Sequence, residues 1–275
     1  MPSGIDMFWT WINRCRRVFS ELNVCLQYFL LMADHYAEIA AELGIDVLKD
    51  AEARDILDGI ACDFECEVLE DIFSENPVAV FGCGPSLEED VQTLIDAGFL
   101  DSFVLVAADG AVQALLERDV CPDVNVTDLD GDVESIIRAN SLGCVTVVHA
   151  HGDNIESLKN VVPMLEGAFF ATTQVEPTLN VRNFGGFTDG DRAVHLAVKF
   201  GAKNIVLCGM DFGEEVGRYS GRFNIEFKIK KLAWGKRILE ELSEGEGVGY
   251  YNFTRNGVDV RGFEKIGVER LSSLV

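Results

Sequence analysis

The apolar positions of this chain change their period at Asn76-Pro77. Before that point they recur three and four apart. One series runs through Phe8, Trp11, Ile12, Cys15, Phe19 and Leu22, a second through Phe29, Ala33, Tyr36, Ala37 and Ala40, and a third through Ile56, Ile60, Phe64 and Leu69. That spacing predicts a helical segment over 1–76, with breaks at Gly44 and across Asp50 to Arg54. Proline biases its predecessor away from helix, so Pro77 marks a boundary. Beyond it, short apolar runs alternate with amphipathic stretches. Strands are predicted at Val78 to Phe81, Phe103 to Ala107, Val124 to Thr127 and Val145 to His149. The helices that follow them are Leu87 to Ala97, Ala111 to Arg118, Val133 to Asn140 and Asn154 to Asn160. Later strands fall at Phe169 to Ala171, Ile205 to Cys208 and Tyr250 to Phe253, and later helices at Arg192 to Phe200 and Ile225 to Leu242. Strand and helix alternating at this spacing predict an α/β fold, a Rossmann-like and mostly parallel sheet with helices on both faces. The expected division is a helical segment over 1–76, a catalytic α/β domain over 77–215, and a C-terminal helix and strand over 216–275 completing or capping it.

Sheets of this kind bind ligands beyond the carboxyl ends of their strands. The polar clusters fall at those ends, placing Ser86, Asp109, Asp128, Asp130, His151 and Asp153 on one rim. The densest is Pro122 to Asp132, with four carboxylates and no basic residue until Arg138. Carboxylates so close repel one another unless a cation or water separates them, and a hard divalent ion suits them. If the strand continues through Asp128-Leu129-Asp130, the two carboxylates point the same way. Asp132 also reads as a helix N-cap. Gly82-Cys83-Gly84-Pro85-Ser86 follows a strand like the opening of a phosphate-binding turn, but Leu87 stands where a dinucleotide fingerprint has its third glycine. It reads equally as a tight turn capped by Ser86. His149 and His151 share one side of an extended segment, as metal ligands, acid–base groups or phosphate contacts, or as one core and one loop histidine. Thr188-Asp189-Gly190-Asp191 reads as a capped helix start or as a further acidic contribution to a metal cage.

Composition narrows the partners. Among 275 residues, 46 acidic against 23 basic side chains give a formal charge of -23, which argues against a nucleic-acid phosphate backbone as ligand. The exception is a basic stretch, Lys228, Lys230, Lys231, Lys236 and Arg237, either a solvated face or one from which Lys230 or Arg237 reaches a bound phosphate chain. Eight cysteines without a CxxC pair suit a reducing cytoplasm, and Cys62 and Cys66 lack a companion histidine for zinc. No apolar run reaches membrane-spanning length and no signal peptide is expected, although the aromatic opening beside Arg14, Arg16 and Arg17 could lie on a membrane surface.

In combination, Gly82 to Ser86, Ala108-Asp109-Gly110-Ala111, Pro122-Asp123 with Thr127 to Asp130, His149 to Asn154 and Gly186 to Ala193 resemble the archaeal 6-hydroxymethyl-7,8-dihydropterin pyrophosphokinase family. That family is similar in its catalytic part to thiamin pyrophosphokinase, although Thr127 and Gly131 here replace the glycine and serine of the thiamin enzymes' Gly-Asp-x-Asp-Ser turn. The resemblance implies Mg²⁺-dependent transfer of diphosphate from ATP to a reduced pterin, releasing AMP, on the way to tetrahydromethanopterin or folate. It implies Asp128, Asp130 and Asp189 as metal ligands, with His151 a further catalytic residue. Asp109 and Asp191 would stand nearby as ligands or water holders, Gly82, Gly84 and Ser86 would contact nucleotide or phosphate, and Gly110, Asp153 and Asn154 would belong to the same cofactor site. Gln174, Asn183 or Phe187 could meet the pterin ring. A thiamin pyrophosphokinase, a nucleotide-sugar glycosyltransferase and an ATP-binding module remain alternatives, and a homo-oligomer stays open.

Overall fold

The structure, a computed structural model, describes residues 35–61, 66–221, 224–245 and 247–275. The helical periodicity before residue 35, the aromatic opening and Cys62 lie outside them. A helix over 35–43, α1, turns at Gly44 (φ 69°) into α2 (Val47–Ile60), capped by Asp46, whose carboxylate accepts the N–H of Leu48. The expected break at Asp50 to Arg54 is absent. Ala51, Glu52, Ala53 and Arg54 are sound helix formers, and the Asp50 side chain makes its bonds to other elements instead.

After α3 (Glu67–Phe73), nine strands form one parallel sheet among the described residues: β1 (Pro77–Phe81), β2 (Val104–Ala108), β3 (Val124–Thr127), β4 (Val145–Ala150), β5 (Phe169–Thr173), β6 (Val181–Arg182), β7 (Asn204–Cys208), β8 (Gly249–Asn252) and β9 (Glu264–Lys265). Their spatial order is β6-β5-β4-β3-β2-β1-β7-β8-β9. The chain steps outward from β1 to β6, returns beneath the sheet through α8 (Asp189–Lys199) and resumes at β7, against β1. The order reverses between β1 and β7, and there the carboxyl ends open a crevice.

Alternation along the strands sorts the core into two layers. Ala79 and Phe81 face one side with α2, α4 (Leu87–Ala97), α5 (Ala111–Leu116), α6 (Val133–Ser141), α7 (Ile155–Val161) and α10 (Val268–Leu271). Val78 and Val80 face the other with α3, α8 and α9 (Ile225–Leu242). Strands buried on both faces account for the continuous Val- and Ala-rich runs.

The segment 215–221 crosses the rim so closely that only glycine fits at several points. A Cβ on Gly110 would lie 2.0 Å from the Tyr219 carbonyl oxygen, and one on Gly217 would lie 2.2 Å from that of Cys83. Gly110→Ala is therefore expected to lose about 2–3 kcal/mol, because backbone must move to admit the methyl group. A denaturant midpoint equal to wild type would show that the strap yields freely.

Candidate active site

The carboxyl rim encloses a cavity of about 410 Å³. Its acidic centre is assembled from two neighbouring strand ends. Asp109 follows β2 with φ 45°, and Asp128 and Asp130 follow β3. The strand does not continue through them. Leu129 turns into the left-handed region (φ 66°) while staying buried, and this turn, not strand alternation, brings Asp128 and Asp130 together. The Thr127 hydroxyl donates to Asp109 at 2.6 Å and accepts the Leu129 N–H at 2.8 Å, and the Gly131 N–H reaches Asp109 at 3.3 Å. One oxygen from each of Asp109, Asp128 and Asp130 lies within 4.8 Å of the others. Asp189 faces this cluster but pairs with Arg192 at 3.0 Å, so Asp109 rather than Asp189 completes the tight triad. Asp132 caps α6 through the Ser135 N–H.

The electrostatics are uneven. Burial, then the charge of Asp128, pushes Asp109 well above the usual carboxylate range and raises Asp130, and the same two causes bring Asp189 up to about 7. Burial opposes ionisation of Asp128 too, yet the hydrogen bond and charge of His151, with Lys231 beyond, outweigh it and hold Asp128 low. His151 Nε2 lies 3.1 Å from Asp128, and the Asp153 N–H meets Nδ1 at 3.2 Å. Burial would lower His151, but Asp128 raises it overall. The carboxylate oxygens of Asp109, Asp128 and Asp130 form a donor set that fits a hard divalent cation, and such an ion would favour the charged form of all three.

Several expected site residues serve the frame. The Gly82 and Gly84 amides donate to the carbonyls of Cys208 and Gly209, and Cβ atoms there would strike Met210 and Asp211, so these glycines let the β1 and β7 ends pack closely. They line the cavity without presenting those N–H groups as a phosphate cradle. Ser86 is buried outside the lining, donating to Asp211 at 2.6 Å and accepting the Asn256 N–H. Asp191 closes the capping box of α8, accepting from the N–H groups of Phe187 and Thr188. Asn154 ties the rim together, donating to the carbonyls of Asp128 and His149 at 2.7 Å each. Asn183 is buried and donates to the Val175 carbonyl, away from the lining. Asp153, Gln174 and Phe187 do reach the cavity.

One wall was anticipated with the wrong residues, Lys230 or Arg237, and a second went unread in the sequence. From α9 the cavity receives Lys228 and Lys231, one helical turn apart, with buried Gly235 continuing their face against Thr188 and Asp191. Lys231 draws on Asp128 and Asp189, and Lys228 on Asp130. Lys230 is exposed, and Arg237 lies over Trp234 and pairs with Glu241. The i, i+3, i+7 spacing from Lys228 to Gly235 was the available signal. The other wall is Gly44, Ile45, Asp46, Lys49 and Asp50, from a segment without a recognisable motif. It is held to α9 by Trp234 donating to Glu42 at 2.9 Å and by His35 beside Glu241 at 3.0 Å.

Fold and cavity together define an α/β protein of the kind whose candidate active site opens at the carboxyl rim of a parallel sheet. A family model described as 6-hydroxymethylpterin diphosphokinase MptE-like matches residues 57–217. The 6-hydroxymethyl-7,8-dihydropterin pyrophosphokinase of Methanothermobacter thermautotrophicus is 46% identical over 222 residues, covering 78% of this chain and 94% of that protein. Proteins of the same name from Methanocaldococcus jannaschii (41% over 225 residues, 76% and 93%) and Pyrococcus furiosus (42% over 218 residues, 75% and 90%) are similar. The chain belongs to this family and is a diphosphotransferase. In fold alone it is like the MAf glycosyltransferase of Magnetospirillum magneticum AMB-1, with TM-score 0.50 and 14% identity over 71% of this chain and 34% of that one. No helix among the described residues is long and apolar enough to cross a membrane.

Proposed function

We propose that the protein transfers an intact diphosphate from Mg²⁺-bound ATP to the hydroxymethyl group of 6-hydroxymethyl-7,8-dihydropterin, releasing AMP, within tetrahydromethanopterin- or folate-type cofactor synthesis. The observation that carries this reading is the Asp109–Asp128–Asp130 triad facing Lys228 and Lys231 across one cavity, in a chain similar to enzymes of that name. The hydroxymethyl oxygen gives up its proton to solvent and forms a bond to the β phosphorus as the bond from that phosphorus to the α–β bridging oxygen breaks, and the bridging electrons leave with AMP. Such transfers need alignment and charge neutralisation rather than a side-chain nucleophile. Asp109, Asp128 and Asp130 would hold Mg²⁺, which when bound neutralises the oxygens of the phosphate chain. Lys228 and Lys231 take the phosphate oxygens turned away from the carboxylates, and His151 keeps Asp128 ionised and oriented.

The test is AMP release from ATP by the full-length protein with the pterin, with thiamin, or with neither, in Mg²⁺ and in excess chelator. AMP and a diphosphorylated pterin are expected only with pterin and Mg²⁺ together. Release with thiamin alone would move the assignment to a thiamin pyrophosphokinase. ATP binding without any acceptor-dependent AMP would leave a nucleotide-binding module.

A further inference from the structure

Asp50 is buried in the cavity wall, away from the carboxylate triad. Its side chain accepts hydrogen bonds from Gly152 N–H and Gln174 Nε2, each at 2.6 Å, and from the Tyr36 hydroxyl. Gln174 gives an N–H to Asp50, and its amide also lies against His149. Beside it on β4, His149 places Nδ1 3.1 Å from Thr172 Oγ1, while the Thr172 hydroxyl is donated to the Val148 carbonyl at 3.2 Å. His149 Nε2 is buried and makes no well-aligned hydrogen bond among the described residues, and the Gln174 amide lies close enough to favour a proton on the ring. Phe187 and Ile45 bring apolar surface to the same cavity.

Lys49 apart, this part of the cavity sets a buried carboxylate, an amide and an imidazole beside an aromatic ring, and a buried carboxylate repels phosphate. Such a wall suits the edge of a flat heterocycle bearing amino and ring N–H groups. We propose that Asp50, Gln174 and His149 form the subsite that reads the 2-amino-4-oxopyrimidine edge of the acceptor substrate, with Phe187 against the ring. This rests on the function proposed above. Gly152, which bonds Asp50, adjoins His151, which bonds Asp128, so this subsite and the triad share one rim of the cavity.

The test compares 6-hydroxymethyl-7,8-dihydropterin with its 2-oxo analogue, which presents a carbonyl in place of the amino group. In Asp50→Asn, kcat/KM for the amino substrate is expected to fall by about 30-fold or more, the scale of a hydrogen bond to a charged group. The KM for ATP should stay within about threefold, and preference should move toward the 2-oxo analogue, because the Asn amide can donate to its carbonyl. An equal fall with both substrates would make Asp50 a packing residue and overturn the proposal. Gln174→Met keeps two of Asp50's three donors and carries the test should Asp50→Asn fail to fold. A pterin KM raised about tenfold supports the subsite, and an unchanged one overturns it. If the wild-type protein turns over neither acceptor, the proposed function itself fails and takes this inference with it.

Discussion

Asp128→Asn is expected to lower turnover about a thousandfold or more with the fold intact, the scale seen when a group stabilising transition-state charge is removed. Asp128 is held ionised by His151 and Lys231 while its neighbours are pushed the other way, so it is the member of the triad whose charge the surroundings favour. The amide keeps the size of the carboxyl and can still accept the Asp130 N–H. It also relieves Asp109, Asp130 and Asp189 of the charge that raises them. In chelator the variant should therefore melt no lower than wild type, while AMP release in Mg²⁺ nearly disappears. Turnover within threefold of wild type and with the same metal dependence would take Asp128 out of the site. A fall in both stability and activity would make it a structural residue instead.

Arg192→Met should destabilise the protein, and by more at alkaline than at acid pH. Arg192 is buried, donating to Asp189 at 3.0 Å and to the Phe187 carbonyl at 2.8 Å, so its loss strands a carboxyl and a carbonyl together. Asp189, near 3.8 when unfolded, is raised by burial and by Asp128 to about 7 in the fold, with Arg192 among the groups pulling it back. Between those values the folded chain binds the more protons, so this group's contribution falls as pH rises from about 4 through about 7. Without Arg192 the folded value moves higher and the falling limb extends into the alkaline range. Denaturant unfolding in chelator should show a loss of about 1–2 kcal/mol at pH 5, from the stranded carbonyl, and about 3–5 kcal/mol at pH 8, where the unpaired carboxylate is charged. Equal losses at the two pH values would mean that Asp189 does not depend on Arg192 for its charge.

Much of this architecture was legible before any coordinates. The run Val124 to Thr127 is β3, and Leu87 to Ala97 and Ile225 to Leu242 are α4 and α9 to the residue. The parallel sheet followed from strand–helix alternation. β6 and β9 were missed because a two-residue strand has no periodicity to detect. The break expected at Asp50 came from reading an acidic side chain as local punctuation, when its partners Gly152 and Gln174 lie more than a hundred positions away.

The same division separates the rim from its content. Hydrophobic period and turn chemistry depend on near neighbours in the chain, and they determined the parallel α/β fold, the carboxyl rim and the presence of Asp109, Asp128, Asp130 and His151 on it. Tertiary structure decided the rest. Parallel neighbours stand about 4.8 Å apart, so the ends of β2 and β3 bring Asp109 into the triad and leave Asp189 beside Arg192. The docked face of α9 turned Lys228 and Lys231 inward and Lys230 and Arg237 outward. The seating of α2 against the β4 and β5 ends put Asp50 in the cavity wall. Each of these depends on which surfaces meet across the sheet, a relation between distant residues that a local pattern does not encode.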